Sequence, residues 1–207
     1  TLTSRYIGSP ESQMDRDMRS IQEKGFLSFL ADTEASALSE TFWTVTLPQN
    51  LETSSVNSPA FNVFLAAQEH LNCNSLFKNG LKVGDLITIS GDIHHIFPRA
   101  YLRSNGVKSK TKYNQVANYI YLDTQGNKAI SDAAPCEYFG RALRQCETKE
   151  LELGNITELT LLKENLAENC IPETVIEMDA SRYDEFLIER RKLMAVMMRR
   201  YYMSLRW

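Results

Sequence analysis

Residues 91–128 read Gly-Asp-Ile-His-His-Ile-Phe-Pro, then a polar and basic stretch, then Val-Ala-Asn-Tyr-Ile-Tyr-Leu, then Asp-Thr-Gln-Gly-Asn-Lys. This order predicts strand, long loop, strand, turn and helix. The run 116–122 is β-branched and aromatic, as a half-buried strand requires, and Pro98 ends the first strand because it has no N–H to donate to a ladder. Gly126 is read as the tight turn into a helix carrying Asn127.

The other segments predict a mainly helical body around this unit, an α+β chain overall. Ser9 and Pro10 have the character of a helix cap and a first-turn residue, so a helix is expected from Pro10, interrupted near Gly25 and resuming to Asp32. A short helix is expected over 34–42, a loop over 48–59, and a buried helix over 60–71 on the spacing of Phe61, Phe64, Leu65 and Leu71. His70, near the end of that helix, reads as a packing residue. Leu86-Ile87-Thr88-Ile89 is a short β-capable run. Helices are expected over 135–146 and 157–169, and a last one, capped by Asp179 or Ser181, carries a methionine-rich stripe that reads as core. Arg190, Arg191, Arg199 and Arg200 are assigned to its solvated face, with contact to DNA as the alternative.

A chain of 207 residues suffices for one well-cored domain, or for a small motif embedded in a larger helical body. One compact unit is expected, made of a helical N-terminal part (1–88), the strand-loop-strand-helix motif (89–140) and a C-terminal helical part (141–207). No apolar stretch approaches the ~20 residues that span a bilayer, so no membrane partner is expected. The opening residues contain neither an initiator Met nor a signal peptide, and the chain reads as a piece of something longer. Cys73, Cys136, Cys146 and Cys170 form no Cys-x-x-Cys pair, which argues against a zinc ribbon or dithiol motif and fits reduced thiols in a cytoplasmic setting.

Net charge is −3, but residues 91–128 carry six basic side chains against two acidic ones. A locally positive segment in an acidic chain suits a polyanion bound on one face. Two of the three histidines in the chain, His94 and His95, sit side by side there. Phosphodiester hydrolysis needs a base of near-neutral pKa to deprotonate the attacking water, and a cation to offset charge on the phosphate. One imidazole meets the first need, while His94 and the side-chain oxygen of Asn127 can supply the protein ligands for the second.

The ordered set His94, His95, Pro98, Asn118 and Asn127 resembles the HNH, or His-Me finger, nucleases and their ββα-metal site. The wider text, including Tyr-Asn-Gln-Val-Ala-Asn at 113–118 and Ala-Pro-Cys-Glu-Tyr-Phe at 134–139, is similar to the C-terminal nuclease domain of GmrSD-type, modification-dependent restriction proteins. The resemblance implies that His94 binds a divalent metal, His95 activates water, and Asn118 orients the loop bearing the base through side-chain-to-backbone hydrogen bonds. It further implies a DNA endonuclease acting as the effector of a restriction or phage-defence protein. The full-length protein would carry an N-terminal nucleotide-binding domain, and a homo-oligomer is an expected assembly. The last motif position, often His in the family, is Asn127 here; an amide oxygen is a harder ligand and favours Mg²⁺ or Mn²⁺ over Zn²⁺. Asp92 is placed to orient His94, and Arg99, Arg103 and Lys128 to meet DNA phosphates. The alternative is a catalytically inactive module of the same shape that binds DNA or a protein partner.

Overall fold

The computed structural model describes residues 2–89 and 92–205, with Asp92 described in its backbone only. Helix α1 (Pro10–Lys24) starts at the expected proline and stops at Gly25, whose φ of 82° breaks the helix before α2 (Phe26–Ala37). The two helices pack together, and a polar cluster ties α1 to the residues that precede it. Asp17, buried, accepts hydrogen bonds from Arg5, from Tyr6 at 2.9 Å and from Gln13 at 2.7 Å. Phe26 and Leu27 face solvent, 54% and 74% exposed. The helix expected over 34–42 is divided: α2 runs through Ala37, and a π-helical turn (Phe42–Thr46) leads into α3 (Leu47–Asn50).

Ser58 caps α4 (Pro59–His70) by accepting the Phe61 N–H at 3.3 Å, and the helix buries Phe61 and Phe64. His70 packs edge-on against Tyr201 and meets the Ser204 hydroxyl at 3.1 Å. The β-capable run at 86–89 is helical instead, as part of α5 (Val83–Thr88). Val83 and Leu86 are three residues apart and share one buried face, and Asp85 accepts the Lys82 N–H at 3.3 Å. Helical spacing and this local cap outweigh the strand preference of four residues.

Strand β1 (Asp92–His95) follows, then α6 (Arg99–Ser104), α7 (Lys110–Tyr113), a 3₁₀ turn (Val116–Asn118), β2 (Tyr119–Leu122) and α8 (Thr124–Ile130). The long loop thus holds two short helices, and the second strand starts three residues later than its β-branched run implies. β1 and β2 pair antiparallel, with His94 opposite Ile120 and His95 opposite Tyr119. Helix α8 begins at Thr124 because Asp123 accepts the Gly126 N–H at 2.6 Å, so Gly126 lies inside the first turn. A Cβ there would meet the Asp123 carboxylate at 2.8 Å and push this cap aside, so Gly126 serves the helix cap and not a tight turn.

Helices α9 (Pro135–Thr148), α10 (Leu159–Glu168) and α11 (Tyr183–Ser204) complete an α+β chain that is mainly helical. A two-stranded ribbon is marginal alone, and this one is held by one continuous apolar core drawing on residues from Phe42 to Met198. Helix α11 crosses α3 and α4 and buries Tyr183, Phe186, Met194 and Met198. Phe97, just past β1, is fully buried against Tyr183 and Phe186, with ring centroids 5.1 and 4.8 Å away. Burial of such a ring is worth about 2–3 kcal/mol. Among the described residues no helix is long and apolar enough to cross a membrane.

Candidate active site

Beyond His95 the chain must leave its ladder and turn into α6, and every backbone polar group of residues 96 and 97 finds a partner there. The Ile96 N–H donates to the Asn118 carbonyl at 2.8 Å, and the Ile96 carbonyl accepts from the Tyr138 hydroxyl at 2.7 Å. The Phe97 N–H donates to Asn118 Oδ1 at 2.8 Å, while Asn118 Nδ2 donates to the Phe97 carbonyl and to the Tyr113 carbonyl, both at 3.1 Å. Asn118 and Tyr138 are both fully buried. Paired polar groups in a dry interior specify one geometry, since any slip leaves a donor or acceptor unsatisfied at about 1–3 kcal/mol each.

Arg190, assigned by sequence to a solvated helix face, is instead 1% exposed. Its Nη1 donates to the Ala117 carbonyl at 2.9 Å and the Tyr119 carbonyl at 2.7 Å, and its Nη2 to the Asn169 carbonyl at 3.3 Å. Burial pushes this guanidinium down to about 10. The residues on both sides of Asn118 are therefore pinned to α11. Arg199 stays at the surface and pairs with Glu40 at 2.7 Å.

This frame presents an open cleft of ≈ 390 Å³, whose walls include His94, His95, Arg99, Arg103 and Asn127. His95 Nε2 lies 2.9 Å from Asn114 Oδ1, and its ring meets that of Tyr119 edge-on at 5.1 Å. An amide oxygen only accepts, so this contact puts the proton on Nε2 and leaves the Nδ1 lone pair as the basic site. Burial is the main influence lowering the His95 pKa; the Asn114 bond opposes it, and the charges of Arg99 and His94 add to it. These influences together favour the neutral form of the imidazole.

Arg99 and Arg103 are exposed and four residues apart on α6, hence on one side of it. Among the described residues neither forms an ion pair. Two unpaired guanidinium groups beside a pair of imidazoles suit a phosphodiester backbone. Lys128 is exposed on α8 and is not among the cleft residues. The orienting role expected of Asp92 rests on a side chain outside the described residues.

No three His, Cys, Asp or Glu side chains among the described residues converge into a metal cage. The two ligands expected from the motif, the His94 imidazole from β1 and the Asn127 carboxamide from α8, both lie on the cleft wall. That chemistry fits a hard dication that keeps several waters and takes further oxygens from substrate phosphates. The cysteines are free; Cys73, Cys146 and Cys170 are buried, and burial lifts the Cys73 and Cys170 thiols to about 11 and 12. These three buried thiols lack the character of nucleophiles.

Asn114, Tyr138 and Arg190 were not given site roles by the sequence. Each acts through backbone or ring atoms 19 to 73 positions away. Only the position of Asn114 in the Tyr-Asn-Gln-Val-Ala-Asn text carried any signal. Comparisons with protein-family models, with curated proteins and with solved structures give no match for this chain.

Proposed function

We propose that the chain is a metal-dependent DNA endonuclease of the HNH type, and that it serves as the effector domain of a restriction or phage-defence protein similar to the GmrSD group. The observation that carries this reading is the presence on one cleft wall of His94, His95 and Asn127 together with two unpaired arginines. Comparison with known proteins adds no support, so the reading stands on this chemistry and on the motif.

In the proposed reaction, His95 Nδ1 takes a proton from water as its oxygen bonds to phosphorus, and the opposite P–O bond breaks. Asn114 fixes the tautomer that leaves Nδ1 free, and Asn118 fixes the backbone that carries the imidazole. His94 and Asn127 would hold Mg²⁺ or Mn²⁺, which, when bound, offsets the charge gathering on phosphate oxygens. Arg99 and Arg103 seat flanking phosphates in the cleft, and Lys128, exposed on α8 next to Asn127, meets a phosphate further along the strand.

The test is nicking or linearisation of plasmid DNA with Mn²⁺, with Mg²⁺ and with chelator. Cleavage that depends on the cation and is lost in His95→Ala, with an unchanged circular dichroism spectrum, is the expected result. Equal cleavage by the His95→Ala protein defeats the assignment of the base. Cation-independent DNA binding without cleavage by the unaltered chain points to the inactive module instead.

A further inference from the structure

An imidazole and a carboxamide are both uncharged when they act as ligands, so a dication held by His94 and Asn127 alone has no anionic protein ligand. A carboxylate not assigned any part stands on the same cleft wall: Asp132. It follows the end of α8 by two residues, and its placement depends on a break in the helix. At about 100° per residue, a continued helix would carry Asp132 about 140° around the axis from Asn127. Ser131 ends the helix with φ 50° and ψ −128°, a conformation that L-residues rarely adopt. Because of that break, Asn127 and Asp132 face one cleft.

The carboxylate is exposed, and among the described residues it has no hydrogen-bond or ion-pair partner, although Arg99 and Arg103 line the same cleft. Left bare, a negative charge there opposes binding of a phosphodiester. Against a cation it has the reverse effect, because affinity for Mg²⁺, Mn²⁺ or Ca²⁺ rises with the number of charged oxygen ligands, and magnesium-type sites commonly use one or two carboxylates with substrate phosphates. We propose that Asp132 is the anionic ligand of the cleft, binding the divalent cation beside His94 and Asn127 either directly or through one water. The inference rests on the reading of the cleft as a metal site, and it adds a residue outside the motif.

Binding of Mn²⁺ alone, followed by the electron paramagnetic resonance signal of the free ion, tests it without reference to cleavage. Asp132→Asn should weaken Mn²⁺ binding at least tenfold, as should His94→Ala. Glu137→Gln, which removes an exposed acid of α9 lining the neighbouring depression, should leave it within twofold. In chelator, Asp132→Asn should bind duplex DNA as tightly as the parent or more tightly, since it removes a negative charge. Mn²⁺ binding within twofold of the parent in Asp132→Asn, while His94→Ala loses it, overturns the proposal and leaves the metal site standing. Absence of Mn²⁺ binding by the unaltered chain overturns both. Asp132→Ser serves as a second variant if the asparagine protein fails to fold.

Discussion

The carboxamide of Asn118 closes a ring of two hydrogen bonds with the peptide of Phe97, accepting its N–H at 2.8 Å and donating to its carbonyl at 3.1 Å. Phe97 follows His95 by two residues, so this ring sets the direction in which the chain leaves the ribbon just past both imidazoles.

Replacing Asn118 by Ala leaves the Phe97 N–H and carbonyl unpaired in a dry interior, while the Tyr113 carbonyl keeps the Tyr183 hydroxyl at 3.3 Å. At about 1–3 kcal/mol for each unsatisfied group, partly relieved by local relaxation, the expected loss is about 3 kcal/mol. Urea denaturation measures it. Asn118→Asp should not restore stability, because a carboxylate can accept from Phe97 N–H but has no N–H for the two carbonyls.

The lowered pKa of His95 predicts the pH dependence of the proposed cleavage. A base must be unprotonated, so the rate should rise with pH and level off below the ordinary imidazole range. Arg99→Gln removes a positive charge that disfavours protonation, so the acid limb should move to higher pH. Asn114→Ala removes a bond that favours the charged ring, so the limb should move to lower pH. The plateau rate should fall as well, because the tautomer is no longer fixed. Rate profiles for the three proteins decide the point, and an unmoved limb in Arg99→Gln speaks against His95 as the titrating base.

Arg190 binds three carbonyls from the interior with no carboxylate among its partners. Arg190→Met keeps much of the volume but abandons those acceptors, and a loss of about 3–5 kcal/mol is expected in chemical denaturation. Arg190→Lys should recover only part of it, since one ammonium cannot span the fork. A neutral outcome for Arg190→Met would mean that the loop around Asn118 holds itself.

The motif was legible because its parts are close in sequence and chemically uncommon. His94, His95 and Asn127 were singled out from the text, as were Arg99 and Arg103, and all five line one cleft. The readings that failed involve competition between local and distant effects. Residues 86–89 prefer strand, yet the buried spacing of Val83 and Leu86 makes them helical. Gly126 reads as a turn, yet Asp123 folds back to cap the helix around it. Arg190 falls among arginines that look alike in sequence, and only packing against the 117–119 carbonyls separates it from the exposed Arg199. Asn114, Tyr138 and Asp132 belong to residue types common in any loop or helix, so nothing marked them before the chain was folded.

By itself the sequence determined the two strands on either side of the long loop and the helix after them, the mainly helical body, and the residue types able to bind a cation and move a proton. Those follow from periodicity, from capping and turn chemistry, and from imidazole and amide donors, all of which are local. Tertiary structure alone decided which polar groups hold the loop after His95, which arginine is buried, which nitrogen of His95 is free, and which carboxylate shares the cleft. These depend on desolvation and on contacts between residues far apart in the chain, and neither exists until the core closes.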